Sequence, residues 1–208
     1  VTGSVNISHV VTCNGDCDGS LEFTVTGGNP PFQYSLNNAP FQNSNVFNNL
    51  CGDSLYSITV IDGDSSIFVS PQVFLSQPPL ISYTTSVQNI NGYGVSCNWG
   101  CDGSITISAP SGGAGAPYYY SFDGGTTFSN IWGVLNLCPD DYIVVVEDGV
   151  GCRRYDTVSI SAPDSLTVSV DSFETISCYG DSNGYISLSV NGGVGPYTYL
   201  WSTGEVTE

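Results

Sequence analysis

Three stretches of this 208-residue chain could do chemistry through sulfur: CNGDCDGSLEFTV from Cys13, CNWGCDGSITISA from Cys97 and CYGDSNGYISLSV from Cys178. Two cysteines four positions apart beside an aspartate can hold a metal, work as a redox dithiol or staple a turn. The third copy discriminates, because Ser182 and Asn183 stand where Cys17 and Asp18, or Cys101 and Asp102, stand in the others. Structural zinc takes four Cys or His ligands. Ligands that thin out from copy to copy argue against it, and no metal site is expected. Eight cysteines in a chain of this size suit an oxidising compartment, where disulfides persist. Asp and Asn share an ability to cap tight turns but not a charge, so Asp18-Gly19, Asp102-Gly103 and Asn183-Gly184 read as turns. Asp62-Gly63, Asp148-Gly149 and Asp123-Gly124 read the same way.

The elements that hold these turns recur as well. Cys97 lies 84 residues after Cys13, and Cys178 lies 81 after Cys97. Each motif leads into an alternating strand: Leu21, Phe23, Val25; Ile105, Ile107, Ala109; Ile186, Leu188, Val190. A Gly/Pro loop follows (TGGNPP, SGGAGAP, NGGVGP). An aromatic strand comes next: Phe32, Tyr34, Leu36; Tyr118, Tyr120, Phe122; Tyr197, Tyr199, Trp201. YSITVIDG from Tyr56 matches YIVVVEDG from Tyr142. Residues two apart share a strand face, so these positions should line the core. Glu22, Thr24, Gln33, Ser35, Thr106, Ser108, Ser187 and Thr198 should face outward. Short strands between Gly, Asn, Asp and Pro turns predict an all-β chain of tandem immunoglobulin-like antiparallel β-sandwich repeats, disulfide-stapled. The expected repeats are 1–79, 80–165 and 166–208. The third stops about half-way, and no signal-peptide pattern leads the chain, so a piece of a longer mature protein is expected.

Composition narrows function. There are 19 acidic residues against Arg153 and Arg154 and no Lys, a net charge of −17. Nucleic acid and anionic lipid both need cationic contacts, so neither is an expected partner. No apolar run reaches the roughly 18 residues of a membrane span. One histidine, His9, sits in an alternating segment and reads as a strand residue, which leaves no acid–base pair or triad. Asp140 and Asp141 read as a polar turn. The Gly-rich loops precede no helix, which argues against a phosphate cradle.

The pattern C-x-G-x-x-x-G-x-I-x-L-x-V-x-G-G-x-x-P-Y-x-Y-x-W-S-x-G from Cys178 resembles the SprB repeat of very large bacterial cell-surface proteins exported by type IX secretion. The likeness extends over all three units and is sharpest in the third. It implies an adhesin-like repeat protein at the cell surface, gliding motility among its settings, and no catalytic residues. In that family a V-x-D-x-x-G-C turn ends in a cysteine. Unit two keeps it as Cys152, and Ile67 takes the equivalent place in unit one.

Co-occurrence then suggests pairings. The second and third cysteines appear together, which predicts Cys17–Cys51 and Cys101–Cys138. The first and fourth then pair as Cys97–Cys152, with Cys13 left over and Cys178 awaiting a partner outside the sequence.

A non-enzymatic stalk of a surface filament or adhesin is the expected function, its partners being neighbouring repeats and other copies in a filament. Glycan binding through exposed Tyr119, Trp99 or Trp132 is the alternative. No cofactor is expected, and a calcium ion assembled between oxygen-rich turns is the alternative there. Three Asp-Ser/Thr-aliphatic triplets resemble the O-glycan acceptor pattern of exported proteins carrying such repeats. They mark Ser54, Thr157 and Ser165 as candidate glycoprotein sites.

Overall fold

The computed structural model describes residues 1–206, and among them there is no helix. In the first repeat the chain order is β1 (Thr2–His9), β2 (Gly19–Gly27), β3 (Gln33–Leu36), β4 (Val46–Leu50), β5 (Ser54–Tyr56), β6 (Ile58–Ile61), β7 (Ile67–Val69) and β8 (Val73–Leu75). One antiparallel sheet has the order β1-β2-β4 and another β3-β6-β7, with β5 paired to β8. First, second and fourth strands in one sheet, with the third, sixth and seventh in the other, is the strand partition of an immunoglobulin-type sandwich. The two-residue alternation sets the register. Val5 faces Phe23 and Ile7 faces Leu21 across β1 and β2. A slip by one residue would turn Leu21 and Phe23 to solvent.

The second repeat runs β9 (Thr85–Val87), β10 (Gly103–Ile107), β11 (Tyr119–Ser121), β12 (Gly133–Leu137), β13 (Asp140–Glu147) and β14 (Arg153–Ile160). Its sheets are β9-β10-β12 and β11-β13-β14, the same partition. The continuous β13 and β14 replace the pairs β5/β6 and β7/β8. The third repeat contributes β15 (Thr167–Glu174) and β16 (Tyr185–Asn191), paired as β1 and β2 are.

Packing divides the chain into two compact units that do not follow the repeat boundaries. The first holds Val1–Ser82 with Pro110–Tyr119 and Val146–Arg154. The second holds Tyr83–Ala109, Tyr120–Val145 and Tyr155–Glu208. In the first, Val11, Leu21, Phe23, Tyr34, Phe47, Leu50, Ile58, Val60 and Leu75 form the core, drawn from both sheets. Phe23 lies tilted against Tyr34 and Phe68, at ring-centroid distances of 6.1 and 5.8 Å. In the second, Val95, Ile105, Ile107, Val144, Val145, Val158 and Ile160 are buried. The inward positions of the third repeat are more open, Ile186 being half exposed. Its described strands form a two-stranded sheet.

One outward assignment is overturned. Ser35 is buried, as is Ser121 at the same place in the second repeat. The Ser35 hydroxyl donates to the Ala39 carbonyl, and that of Ser121 to Asp123. Each holds the turn after its strand rather than facing water.

Phe23 is fully buried and touches both sheets. Phe23→Ala should cost about 3–5 kcal/mol in denaturant unfolding of the oxidised chain. A loss under 1 kcal/mol would show that the two sheets do not close on this ring.

Candidate functional site

The chemistry-bearing residues collect at the ends of the sandwiches, where one repeat meets the linker to the next. At the base of the first repeat the Cys13 turn is closed by Asp16 N–H donating to the Cys13 carbonyl at 3.1 Å. Asp18 caps it by accepting from Thr12 N–H at 3.0 Å. The second repeat has Gly100 N–H on the Cys97 carbonyl at 2.9 Å and Ser96 N–H on Asp102 at 3.0 Å. The third has Asp181 N–H on the Cys178 carbonyl and Ser177 N–H on the Asn183 side-chain oxygen at 3.2 Å. Asp and Asn do the same work, so these groups are turn caps. The hydrogen bonds from Thr12 and Ser96 hold the Asp18 and Asp102 carboxyls below the usual carboxylate range. His9 sits 3.6 Å from Asp18 at the exposed edge of this turn.

At the opposite end, a buried aspartate ties two loops together. Asp62 accepts from Ser66 N–H at 2.9 Å, Asp64 N–H at 3.1 Å and Asn29 N–H at 3.3 Å. Asp148 accepts from Cys152 N–H at 3.0 Å, Val150 N–H at 3.1 Å and Ala114 N–H at 2.8 Å. Backbone donors, that of Ser66 first, pull the Asp62 carboxyl down as well. In the second repeat this clamp fixes the turn that presents Cys152. It also corrects the alignment: Ser66, not Ile67, makes the hydrogen bonds that Cys152 makes, so Ser66 is its counterpart. In the turn after β11, hydrogen bonds from Ser121 and Thr127 press the Asp123 carboxyl far below its usual range.

Three disulfides are present: Cys17–Cys51, Cys101–Cys138 and Cys13–Cys152, with sequence separations of 34, 37 and 139. The first two join the base turn to the end of the fourth strand of the same repeat. Tyr56 and Tyr142 close over them, each hydroxyl donating to the carbonyl of Cys51 or Cys138 at 3.0 Å. The expected Cys97–Cys152 pair is overturned. Cys152 bonds to Cys13, and Cys97 is an exposed free thiol. The reason is the packing: the turn carrying Cys152 belongs to the compact unit that contains the base of the first repeat, whereas Cys97 belongs to the other unit.

Around the Cys13–Cys152 bridge, hydrogen bonds splice the linker to both sides. Asn14 donates its side-chain N–H to the Pro78 carbonyl at 3.0 Å, and Gly113 N–H donates to the Pro79 carbonyl at 2.7 Å. A side chain at Gly112 would begin 2.2 Å from the Leu80 carbonyl oxygen, and φ there is +86°, so only glycine fits. Cys13, Asn14, Asp16, Pro79, Leu80, Ile81, Gly113, Gly151, Cys152 and Arg153 line one shallow hollow, a splice rather than a ligand pocket.

The remaining sequence candidates differ in exposure. Trp99 is 87% exposed, Trp132 60% and Tyr119 39%. Trp99 and Tyr119 belong to different compact units. Among the described residues no three His, Cys, Asp or Glu side chains converge. Thr157 and Ser165 are exposed. Ser54 is half-buried in β5, and its hydroxyl donates to the Gly52 carbonyl at 3.1 Å, so it is less open than its sequence context implied. Sequence reasoning missed the splice itself. The signal was an Asn after the first cysteine in two repeats and a Pro shortly before each repeat boundary, Pro78 and Pro163, neither of which has any meaning until the ends are brought together.

These features define a disulfide-stapled β-sandwich repeat protein. More particularly, the SprB repeat family model matches residues 11–41 and 171–206, and the chain carries SprB-type repeats in its first and third units. A comparison with curated protein sequences gives no match. Among solved structures, the crystal structure of Dpr2 Ig1-Ig2 in complex with DIP-Theta Ig1-Ig3 is similar over 80% of this chain and 69% of that chain. Identity is 6% and the TM-score 0.24, too low to carry any argument.

The turn caps set a pH dependence. The folded chain favours the charged forms of Asp18, Asp62, Asp102 and Asp123. Their contribution is fully present above the unfolded value of about 3.9 and is lost as pH falls through the lower folded values. Asp102→Ala should lower the melting temperature at pH 7 more than Asp102→Asn, which keeps the oxygen that Asn183 uses. The gap between wild type and Asp102→Ala should narrow below about pH 4. A gap unchanged from pH 7 to pH 2 would remove the carboxylate from the account.

Proposed function

We propose that this chain is a non-enzymatic, load-bearing stalk segment of a bacterial cell-surface adhesin or filament, located outside the cell. The carrying observation is the Cys13–Cys152 bridge. A pull applied at the two ends enters the bridge directly at Cys13 and leaves it at Cys152. The 138 residues between them, including both smaller disulfide loops, lie off the force path. Covalent closure of so long a loop also stabilises the fold, by up to about 5 kcal/mol in the chain-entropy model. A domain of about 80 residues gains only a few kcal/mol from its core, so the staples decide whether it stays folded. The absence of Lys removes most trypsin sites from an exposed stalk. SprB-type repeats support the surface setting, with type IX export and gliding as the contexts their resemblance suggests.

Glycan binding is the second reading, favoured by the 87% exposure of Trp99. Saturable binding on a glycan array that Trp99→Ala abolishes would establish it. The stalk reading expects none.

Single-molecule pulling from both termini tests the mechanical role. In the oxidised chain the segment from Cys13 to Cys152 should not lengthen. Full reduction should release its 139-residue separation, roughly 470 Å at about 3.4 Å per residue. Cys13→Ser alone should release about half of that. Its smaller loops of 34 and 37 stay closed, so 139 less 34 and 37 leaves 68 residues, roughly 230 Å. Equal extension before and after reduction would sink the force-path argument.

A further inference from the structure

Asn14, Asn91, Asn183 and Asn191 each precede a glycine. An asparagine so placed can close on itself: the glycine nitrogen attacks the side-chain Cγ, and the missing Cβ leaves its approach open. The structure treats the four differently. Asn14 is held at both reacting groups, its side-chain N–H donating to the Pro78 carbonyl at 3.0 Å and Gly15 N–H to the Gln77 side-chain oxygen at 2.7 Å. Gly92 N–H donates to the Asn89 side-chain oxygen at 2.8 Å, inside a turn closed twice between Ile90 and Tyr93, at 2.7 and 3.0 Å. Asn191 is paired to Thr167 at the end of β16. Gly192 after it is wedged against the Ser165 carbonyl oxygen, where a side chain would begin 2.1 Å away.

Asn183 is arranged the other way. It is exposed, and Gly184 N–H has no acceptor among the described residues. The Asn183 side-chain oxygen accepts from Ser177 N–H at 3.2 Å, and its side-chain N–H donates to the Ser177 hydroxyl oxygen at 2.7 Å. A donor already aimed at the oxygen that gains charge during the attack favours that attack. The hydroxyl lies beside the nitrogen that must leave. The product fits as well. Only the oxygen of Asn183 caps the turn backbone, and Asp18 and Asp102 do the same from the same place in the other two repeats. A carboxylate there accepts a charge-assisted hydrogen bond, stronger than one to a neutral amide. At Asn14 the product would have no N–H for Pro78 and would open the splice.

We propose that Asn183 is a self-modification site, where ring closure onto Gly184 and hydrolysis replace the amide with the carboxylate cap that the other two repeats carry. The bond from the Gly184 nitrogen to Cγ forms and the Cγ–Nδ2 bond breaks. The Gly184 proton leaves with Nδ2 as ammonia, and a cyclic imide remains. Water then adds at Cγ, the ring bond breaks, and the Gly184 nitrogen recovers a proton. One water is consumed and one ammonia released, with no oxidant or reductant. Opening at the other ring carbonyl would add a backbone atom just before the Tyr185–Glu174 pair of β16 and β15, so the fold selects the aspartate. The inference stands apart from the stalk reading and does not need it.

The test is to hold the oxidised, folded chain in mildly alkaline buffer, sample it over days and digest with pepsin in acid. Mass spectrometry then reads the amide-to-acid change peptide by peptide, with the Asn183→Asp variant as the product standard. Asn183 should convert at least about tenfold faster than Asn14, whose two hydrogen bonds must open first. Its product should co-elute with the peptide of the variant. In denaturant the two rates should converge. Equal rates at Asn183 and Asn14 in the folded chain overturn the proposal, as does conversion of Asn91 ahead of Asn183. So does isoaspartate as the main product, or a rate difference that persists in denaturant and therefore owes nothing to the fold. None of these outcomes bears on the pulling experiment, which concerns the bridge at Cys13.

Discussion

A bridge between Cys13 and Cys152 can form only if the base turn of one repeat and the clamped turn of the next are held within bonding distance, and most of the local structure serves that end. Asp18 fixes the turn that carries Cys13. Asp148, buried and accepting three backbone N–H groups, fixes the turn that carries Cys152 and ties it to the Gly/Pro loop. The Gly/Pro loop in turn donates to the linker carbonyl. Each contact is an ordinary hydrogen bond of modest net worth. Together they place two sulfur atoms so that a covalent bond closes without rearrangement of the strands around it.

The same logic accounts for an acidic chain with few counter-charges. Asp18, Asp62, Asp102, Asp123 and Asp148 are used as caps, accepting from backbone donors in turns that water would otherwise have to satisfy. Such caps depend on local geometry and not on a cationic partner, so a Lys-free sequence loses nothing by them. Glu147 pairs with Arg153, and the exposed acids keep like chains apart.

The two smaller bridges and the long one act at different levels. Cys17–Cys51 and Cys101–Cys138 hold the base turn of a repeat to the end of its own fourth strand, with a tyrosine hydroxyl over each. They make a small sandwich durable. Cys13–Cys152 joins one repeat's base to the next repeat's clamp, which a series of independently stable sandwiches would not need.

Much of this was legible in the residues. Alternation at Leu21, Phe23 and at Ile105, Ile107 reports the buried face directly, because a strand's period is two whatever it packs against. The repeat offsets and the Asp-to-Asn exchange at position 183 identify turns without a structure. Cysteines that come and go together within a repeat disclose Cys17–Cys51 and Cys101–Cys138, since both partners lie in one sandwich. The long bridge was not legible, and pairing Cys97 with Cys152 inside one repeat was the natural error. Those two residues fall in different compact units, a division that no spacing in the sequence expresses. The burial of Ser35 and the alignment of Ser66 with Cys152 were hidden for the same reason. Alternation tells which residues share a face, whereas hydrogen bonds across turns, and contacts between the end of one repeat and the start of another, exist only once the chain is folded.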